Sequence, residues 1–383
     1  MISLKSIAKS RTFPAIAMLT GTVIGAGFLG IPYVVSKSGF PIGLFYMLLL
    51  GIIMLAVRLY LGEVILRTKT SHNLQLAGYA QKYLGKTGKS LIFFTMIFGI
   101  YSSIVAYLIG EGESLSFLFF SNTNYMLLFG ILFWILMSVL TYKGFKALKK
   151  FESIALVIVI GFIIIISALF ASKISIQNLS HINYKYIFLP FGVILYAFLG
   201  TAVMPELERI LKGREKLMKR VTMIGSIIPI IVYLLFTLIV VGSFTEIPEI
   251  ATLALGRIFI FLGMITMFTA FFALSIALRD MYRFDFKLGR FKGWLLTAII
   301  PLLLFILIKI FNLATFTGIL GLAGGVAGGI EIITILFMNI RAKKQGKRKP
   351  EYSIKINWLI IALLSILFAA GIVYEILKFF RLF

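Results

Sequence analysis

The chain contains no cysteine, which excludes disulfide frameworks, thiolate metal sites and thiol nucleophiles. Histidine is nearly absent as well. His72 and His181 are the only two, both in stretches that read as loops, so a buried imidazole metal site has no basis and no metal or cofactor is expected. Charge is scarce: 14% of the 383 residues are charged, and only 14 are Asp or Glu. That is too little polar surface to clothe a water-soluble body of this size. No G-x-x-x-x-G-K-[ST] phosphate loop occurs, which argues against nucleotide hydrolysis by that route. No H-E-x-x-H pair and no TVGYG-like filter occurs either, which argues against a zinc protease and a potassium channel.

What is present is apolar. Hydrophobic residues make up 60% of the chain and the mean hydropathy is +1.04. Runs of about 20 apolar residues, the length needed to cross a hydrocarbon core, recur throughout. The sequence therefore predicts an all-α polytopic membrane protein with the lipid bilayer as its solvent and no enzyme chemistry. Eleven spans are expected, near 13–36, 41–66, 91–119, 125–142, 150–171, 186–208, 221–242, 252–278, 294–311, 317–340 and 356–380. The polar stretch 67–90 is expected to form a helix along the cytoplasmic surface. The N-terminal MISLKSIAKSRTF shows no apolar region with a cleavage site, so the first span is expected to be retained.

The net charge of +24 raises the possibility of nucleic acid, but the placement of the charges does not favour it. With the N-terminus cytoplasmic, 30 of the 38 Lys and Arg residues fall in cytoplasmic segments and 6 outside. Arg58 and Lys309 fall within spans. KGREKLMKR (212–220) and RAKKQGKRK (341–349) come out inside, and TEIPE (245–249) comes out outside. Inverting the chain would reverse this bias, so the N-terminus is expected in the cytoplasm and the C-terminus outside. No nucleic-acid partner and no obligatory protein partner is expected.

Residues 19–33, LTGTVIGAGFLGIPY, place four glycines and a proline inside an apolar span. Each interior Gly costs a helix roughly 1 kcal/mol against Ala, and Pro about 3. Gly21 and Gly25 could serve close helix packing. The alternative is a helix broken at membrane depth, tolerated only where backbone is buried in protein or lines a water-filled cavity. FLGTAVMP (198–205) in the sixth span echoes FLGIP (28–32) in the first, and both spans carry an early proline, Pro14 and Pro190. Two interrupted spans five apart point to an inverted repeat, 13–171 and 186–340, with 356–380 appended, all within one transporter domain of residues 1–383. Half-helix ends then offer N–H groups to an anion and C=O groups to a cation, and an α-amino acid carries both.

GTVIGAGFLGIPYVVSKSGFPIG (21–43) resembles the first-span signature of the amino acid/auxin permease family and its bacterial aromatic amino acid permease relatives. LGEVILRT (61–68) and AYLIGEGESLS (106–116) are similar to that family's second-span ending and third span. The resemblance covers most of residues 13–210 and is only architectural beyond. It implies a five-plus-five (LeuT-like) fold of 11 transmembrane helices with discontinuous helices 1 and 6. It also implies secondary transport of amino acids across the cell membrane. A transporter of another small solute on the same fold, or an amino acid-sensing transceptor, are the alternatives.

By that resemblance, Thr22, Gly25, Ala26, Gly27 and Phe28 surround a substrate from span 1, and Tyr196, Ala197, Phe198, Leu199, Gly200 and Thr201 from span 6. Ser103 and Tyr107 lie i,i+4 on one face of span 3, where Tyr107 could meet a carboxylate or simply pack. Thr266 and Thr269 are candidate hydroxyl ligands for sodium, unless they bond to the i−4 carbonyl. Span 5 has no interior basic residue, so a lysine in place of sodium is not expected. Glu331, after the glycine-rich GLAGGVAGG, could load and release a proton or could satisfy freed backbone. The resemblance favours a proton as coupling ion, with sodium as the alternative. Glu63 reads as a structural or gating carboxylate and Arg279–Asp280 as a gate or interfacial pair. Glu111 and Glu113 are expected to snorkel to the outer surface or line a vestibule.

Overall fold

In the computed structural model, residues 11–69, 74–144, 148–284, 286–355 and 357–380 are described. His72 and the first ten residues, on which one loop assignment and part of the orientation argument fell, lie outside them. The architecture is helical, with no strand among the described residues. Ten helical stretches are each long and apolar enough to cross a membrane. α1 (Thr12–Val23) and α2 (Ala26–Ser38) meet that test together, as a pair bent by 41°. This defines a multi-pass membrane protein.

The helices follow the expected spans closely. They are α3 (Phe40–Arg67), α4 (Leu76–Phe120), α5 (Met126–Lys143) and α6 (Leu148–Phe170). α7 (Leu189–Phe198) and α8 (Met204–Ile210) share one apolar stretch. α9 (Met218–Ser243), α10 (Arg257–Phe284), α11 (Arg290–Ile310), α12 (Phe316–Gln345) and α13 (Trp358–Phe379) complete the bundle. One expectation is only half met. The surface helix over 67–90 is a short stretch from Leu76 that runs into the third span, set off by Gly85 at φ 73°, ψ −157°.

Burial divides the helices into centre and periphery. In α12, 78% of the most apolar window is buried, whereas in α6 and α13 it is 22%. Peripheral helices can present Leu and Ile to lipid at no cost, because hydrocarbon is as apolar as they are. The central helices are held close by small residues. Ala323–Gly328 of α12 forms a π-helical turn, and a Cβ on Gly324 would collide with the Gly192 carbonyl of α7. A Cβ on Gly27 would sit 2.8 Å from the Tyr196 ring and 2.9 Å from Ala197 Cα. The glycines of 321–329 thus bring α7 and α12 into backbone contact.

Gly324→Ala and Gly27→Ala should each cost about 1–3 kcal/mol, the range for overpacking a site that cannot give way. Gly289, with nothing within 4 Å of its Cβ position, is the control. Thermal unfolding in detergent is expected to show a lowered midpoint for the first two and none for Gly289→Ala.

Candidate functional site

α1 stops at Val23, Gly25 is extended (φ −89°, ψ −155°), and the chain resumes as the tight turn Ala26–Gly30 that opens α2. α7 stops at Phe198, Leu199 is extended, and Gly200 takes φ 150°, a value L side chains rarely adopt, before Thr201–Val203 turns into α8. The two breaks touch. Gly27 faces Tyr196 and Ala197, while a Cβ on Gly200 would lie 2.7 Å from Val23 Cγ2.

Helices ending in an apolar interior leave carbonyls without intrahelical partners. Two side chains meet them here. Tyr233 Oη of α9 lies 2.6 Å from Val23 O and 3.0 Å from Ala197 O, so its one proton can serve either helix end. Arg58 of α3, fully buried, donates to Phe198 O and, at 2.9 Å, to Ser226 Oγ. Arg58 stood out in the sequence as a charge at membrane depth. Tyr233 carried no such signal, being one of 16 tyrosines.

Between the breaks lies a cavity of about 270 Å³, walled by α1, α4, α6, α7, α10 and α12. Of the anticipated residues, Thr22, Gly25, Gly27, Ser103, Tyr107, Tyr196, Ala197, Leu199, Gly200, Thr201, Thr266, Thr269 and Glu331 line it. Thr22, Ala202 and Ala277 are exposed at its mouth. Ser103 and Tyr107 are buried deeper in, where the hydroxyls form a directed chain. Ser103 Oγ donates to Gly99 O at 2.6 Å, and Tyr196 Oη donates to Ser103 Oγ at 2.6 Å. Tyr107 Oη lies 2.8 Å from Tyr196 Oη. Because Tyr196 spends its proton on Ser103, Tyr107 is the donor of that pair and keeps its lone pairs for another group. Glu331 accepts from Thr201 Oγ1, which ties α12 to the second break.

Several expectations need correction. Phe28 and Phe198 are fully buried and do not face the cavity. The turn at Ala26–Gly30 directs Phe28 to α9, where it stacks on Tyr233 at 5.9 Å and meets Phe236 edge-on at 5.0 Å. Phe198 packs on the other side of Tyr233, at 5.0 Å. Ala26 is buried off the wall. Thr269 Oγ1 donates to Ile265 O at 2.9 Å, the i−4 bond named as the alternative, and Thr266 Oγ1 to Gly263 O, three residues back, at 2.8 Å; as donors both hydroxyls keep lone pairs for another group. Glu63 is buried and does not line the cavity. It is held by Arg67 at 2.8 Å, Lys343 at 3.1 Å, Ser353 Oγ at 2.7 Å and Ile354 N at 3.1 Å. Arg279 pairs with Asp280 at 2.9 Å and donates to Thr141 O, tying α10 to the end of α5. Glu111 does not snorkel: it is 1% exposed. Glu375 of α13, not anticipated, is equally buried, against Gly321 and Gly325 of α12.

A multi-pass helical protein with a small-molecule-sized cavity at two touching helix breaks is the class these features define. Residues 8–254 match the tryptophan/tyrosine permease family, and the chain belongs to that family, which is one of permeases and not of enzymes. It is similar to glutamine transporter 2 of Aliivibrio fischeri, 24% identical over 90% of this chain and 93% of that protein. It is also similar to tyrosine-specific transport system 1 of Haemophilus influenzae, 26% identical over 62% of this chain and 59% of that protein. Spore germination protein A2 of Bacillus subtilis is 28% identical over 66% of this chain and 69% of its own length.

Tyr233→Phe keeps the ring stacking and removes the hydroxyl. It should cost about 1–3 kcal/mol, the range for leaving a buried acceptor unpaired. The check is the thermal midpoint of the purified variant, which should fall by several degrees.

Proposed function

We propose that this protein is a secondary active amino acid transporter of the cell membrane. The observation that carries the reading is the cavity where the two breaks meet, with backbone ends, hydroxyls and one carboxyl around a space sized for a small solute. Relatives named as glutamine and tyrosine transporters support the solute class.

On this reading the bent pair α1–α2 is a single discontinuous span and α7–α8 its counterpart, which makes eleven spans. Residues 13–171 and 186–340 form a LeuT-like five-plus-five inverted repeat of the amino acid/auxin permease type, and 356–380 is appended. The N-terminus is cytoplasmic and the C-terminus external. The mouth at Thr22, Ala202 and Ala277 then faces the cytoplasm, and transport proceeds by alternating access as the bundle rocks against its scaffold. The N–H groups opening α2 at Gly25–Gly27 take the substrate carboxylate, with the positive end of that helix behind them. The oxygen of Tyr107, its proton already committed, accepts from the ammonium. Glu331 carries the coupling proton, bonded to Thr201 so that its protonation is felt at the break. Sodium held near Thr269 is the alternative. Glu63 and the Arg279–Asp280 pair brace the ends of the bundle as gating contacts.

Purified protein in proteoliposomes, given labelled amino acids and an inward proton gradient without sodium, is expected to accumulate label that a protonophore releases. Recovery only with a sodium gradient would reassign coupling to Thr269. Binding without accumulation under either gradient would favour a sensor. Glu331→Gln should abolish gradient-driven accumulation and spare exchange. Gly25→Val should lower uptake at least about tenfold, near 1.4 kcal/mol of binding. Its fold should survive, since a Cβ there makes only ordinary contacts near 4 Å.

A further inference from the structure

A second cavity of about 600 Å³ lies outside the central one, between α4, α5, α6 and α10. Its wall is apolar: Leu132, Phe133, Leu136, Ile158, Phe261 and Phe268. Glu111 is its one ionisable lining residue. That carboxyl is 1% exposed, and its Oε1 has no hydrogen-bond partner among the described residues. Burying a polar atom without a partner is costly, more so when the group is charged, and such atoms are rare in native structures. At the mouth, Leu132, Leu136 and Phe261 are about half exposed, on helix faces that a bilayer would cover.

We infer that this groove binds hydrophobic amines dissolved in the membrane, with the alkyl or aryl body among α5, α6 and α10 and the ammonium on Glu111. Charge complementarity selects the ligand. An ammonium brings both the positive charge that holds the Glu111 carboxyl ionised and the donors that it lacks here, whereas a fatty acid brings only a second acid and an alcohol one neutral donor. Phe133 and Phe268, with centroids 6.3 Å apart, add ring faces on which a cation is favoured. The mouth among lipid-facing side chains fits a ligand that partitions into hydrocarbon before it binds. Thr269 lines both cavities, so α10, together with α6, stands between this groove and the central site.

The test uses the full chain in lipid nanodiscs and a decylamine carrying a terminal diazirine. Cross-linked peptides are mapped by mass spectrometry. Label is expected within 132–136 and 261–268, and excess decylamine should suppress it at least fivefold while decanol and decanoate do not. Glu111→Gln should lower label at these positions at least fivefold and leave it unchanged at Phe45 and Ile52, exposed residues of α3 that report lipid partition alone. Equal competition by decanol, or undiminished label in Glu111→Gln, overturns the assignment. Should Glu111→Gln fail to fold, Leu132→Trp fills the apolar part with the carboxyl intact, and label retained at 261–268 in that variant overturns it as well.

Discussion

A polypeptide that leaves helical geometry inside an apolar solvent must find partners for the carbonyls and N–H groups it releases, and α1 and α7 both end there. Tyr233 and Arg58 supply those partners from two different helices, α9 and α3. Arg58 bonds a carbonyl and a hydroxyl, with no carboxylate partner among the described residues. A buried cation spent in this way is expensive, and it persists because without it a helix end would be stranded. Tyr233 sets the distance between the breaks, since it reaches both Val23 and Ala197. The cavity is the space left over once that spacing is fixed.

Close approach is the second half of the same constraint. Tyr233 can bridge both ends only if the two chains nearly touch, and this is what Gly27 and Gly200 permit. Gly200 contributes twice, through a positive φ and through the room a missing side chain leaves beside Val23. The π turn of α12 extends the principle outward. By letting α7 lie directly on its backbone, it carries Glu331 to Thr201 and so joins a third helix to the second break. Peripheral helices such as α6 and α13 face no comparable demand.

The buried carboxylates show how one residue type acquires different chemistry from its surroundings. Glu63 is met by two cations, a hydroxyl and a backbone N–H, and so fastens the segment around Ser353 to α3. Glu331 has a single hydroxyl partner at the edge of a water-accessible cavity. Glu375 pairs with Lys378 at 3.3 Å and presses on the glycine face of α12. Glu111 has an apolar groove.

The helical architecture, the positions of the spans and the two interrupted segments were legible in the sequence, because lipid imposes a length and a polarity on every crossing and glycine with proline marks where helix geometry fails. Tyr107 and Glu331 could be picked out from the residues themselves, because polar groups are few in an apolar span, whereas Thr22, Tyr196 and Thr269 came from the family resemblance. Which way a side chain turns was not legible. Phe28 and Phe198 sit in the right segments yet pack on Tyr233 of α9: Phe28 lies in the tight Ala26–Gly30 turn, and Phe198 is the last residue of α7. Glu111 looked like an outer-surface residue and is buried, because α5, α6 and α10 close over it from distant parts of the chain. Local rules act within a few residues. The partners of Val23, Ala197 and Phe198 lie 210, 36 and 140 residues away, so only the packed bundle decides them.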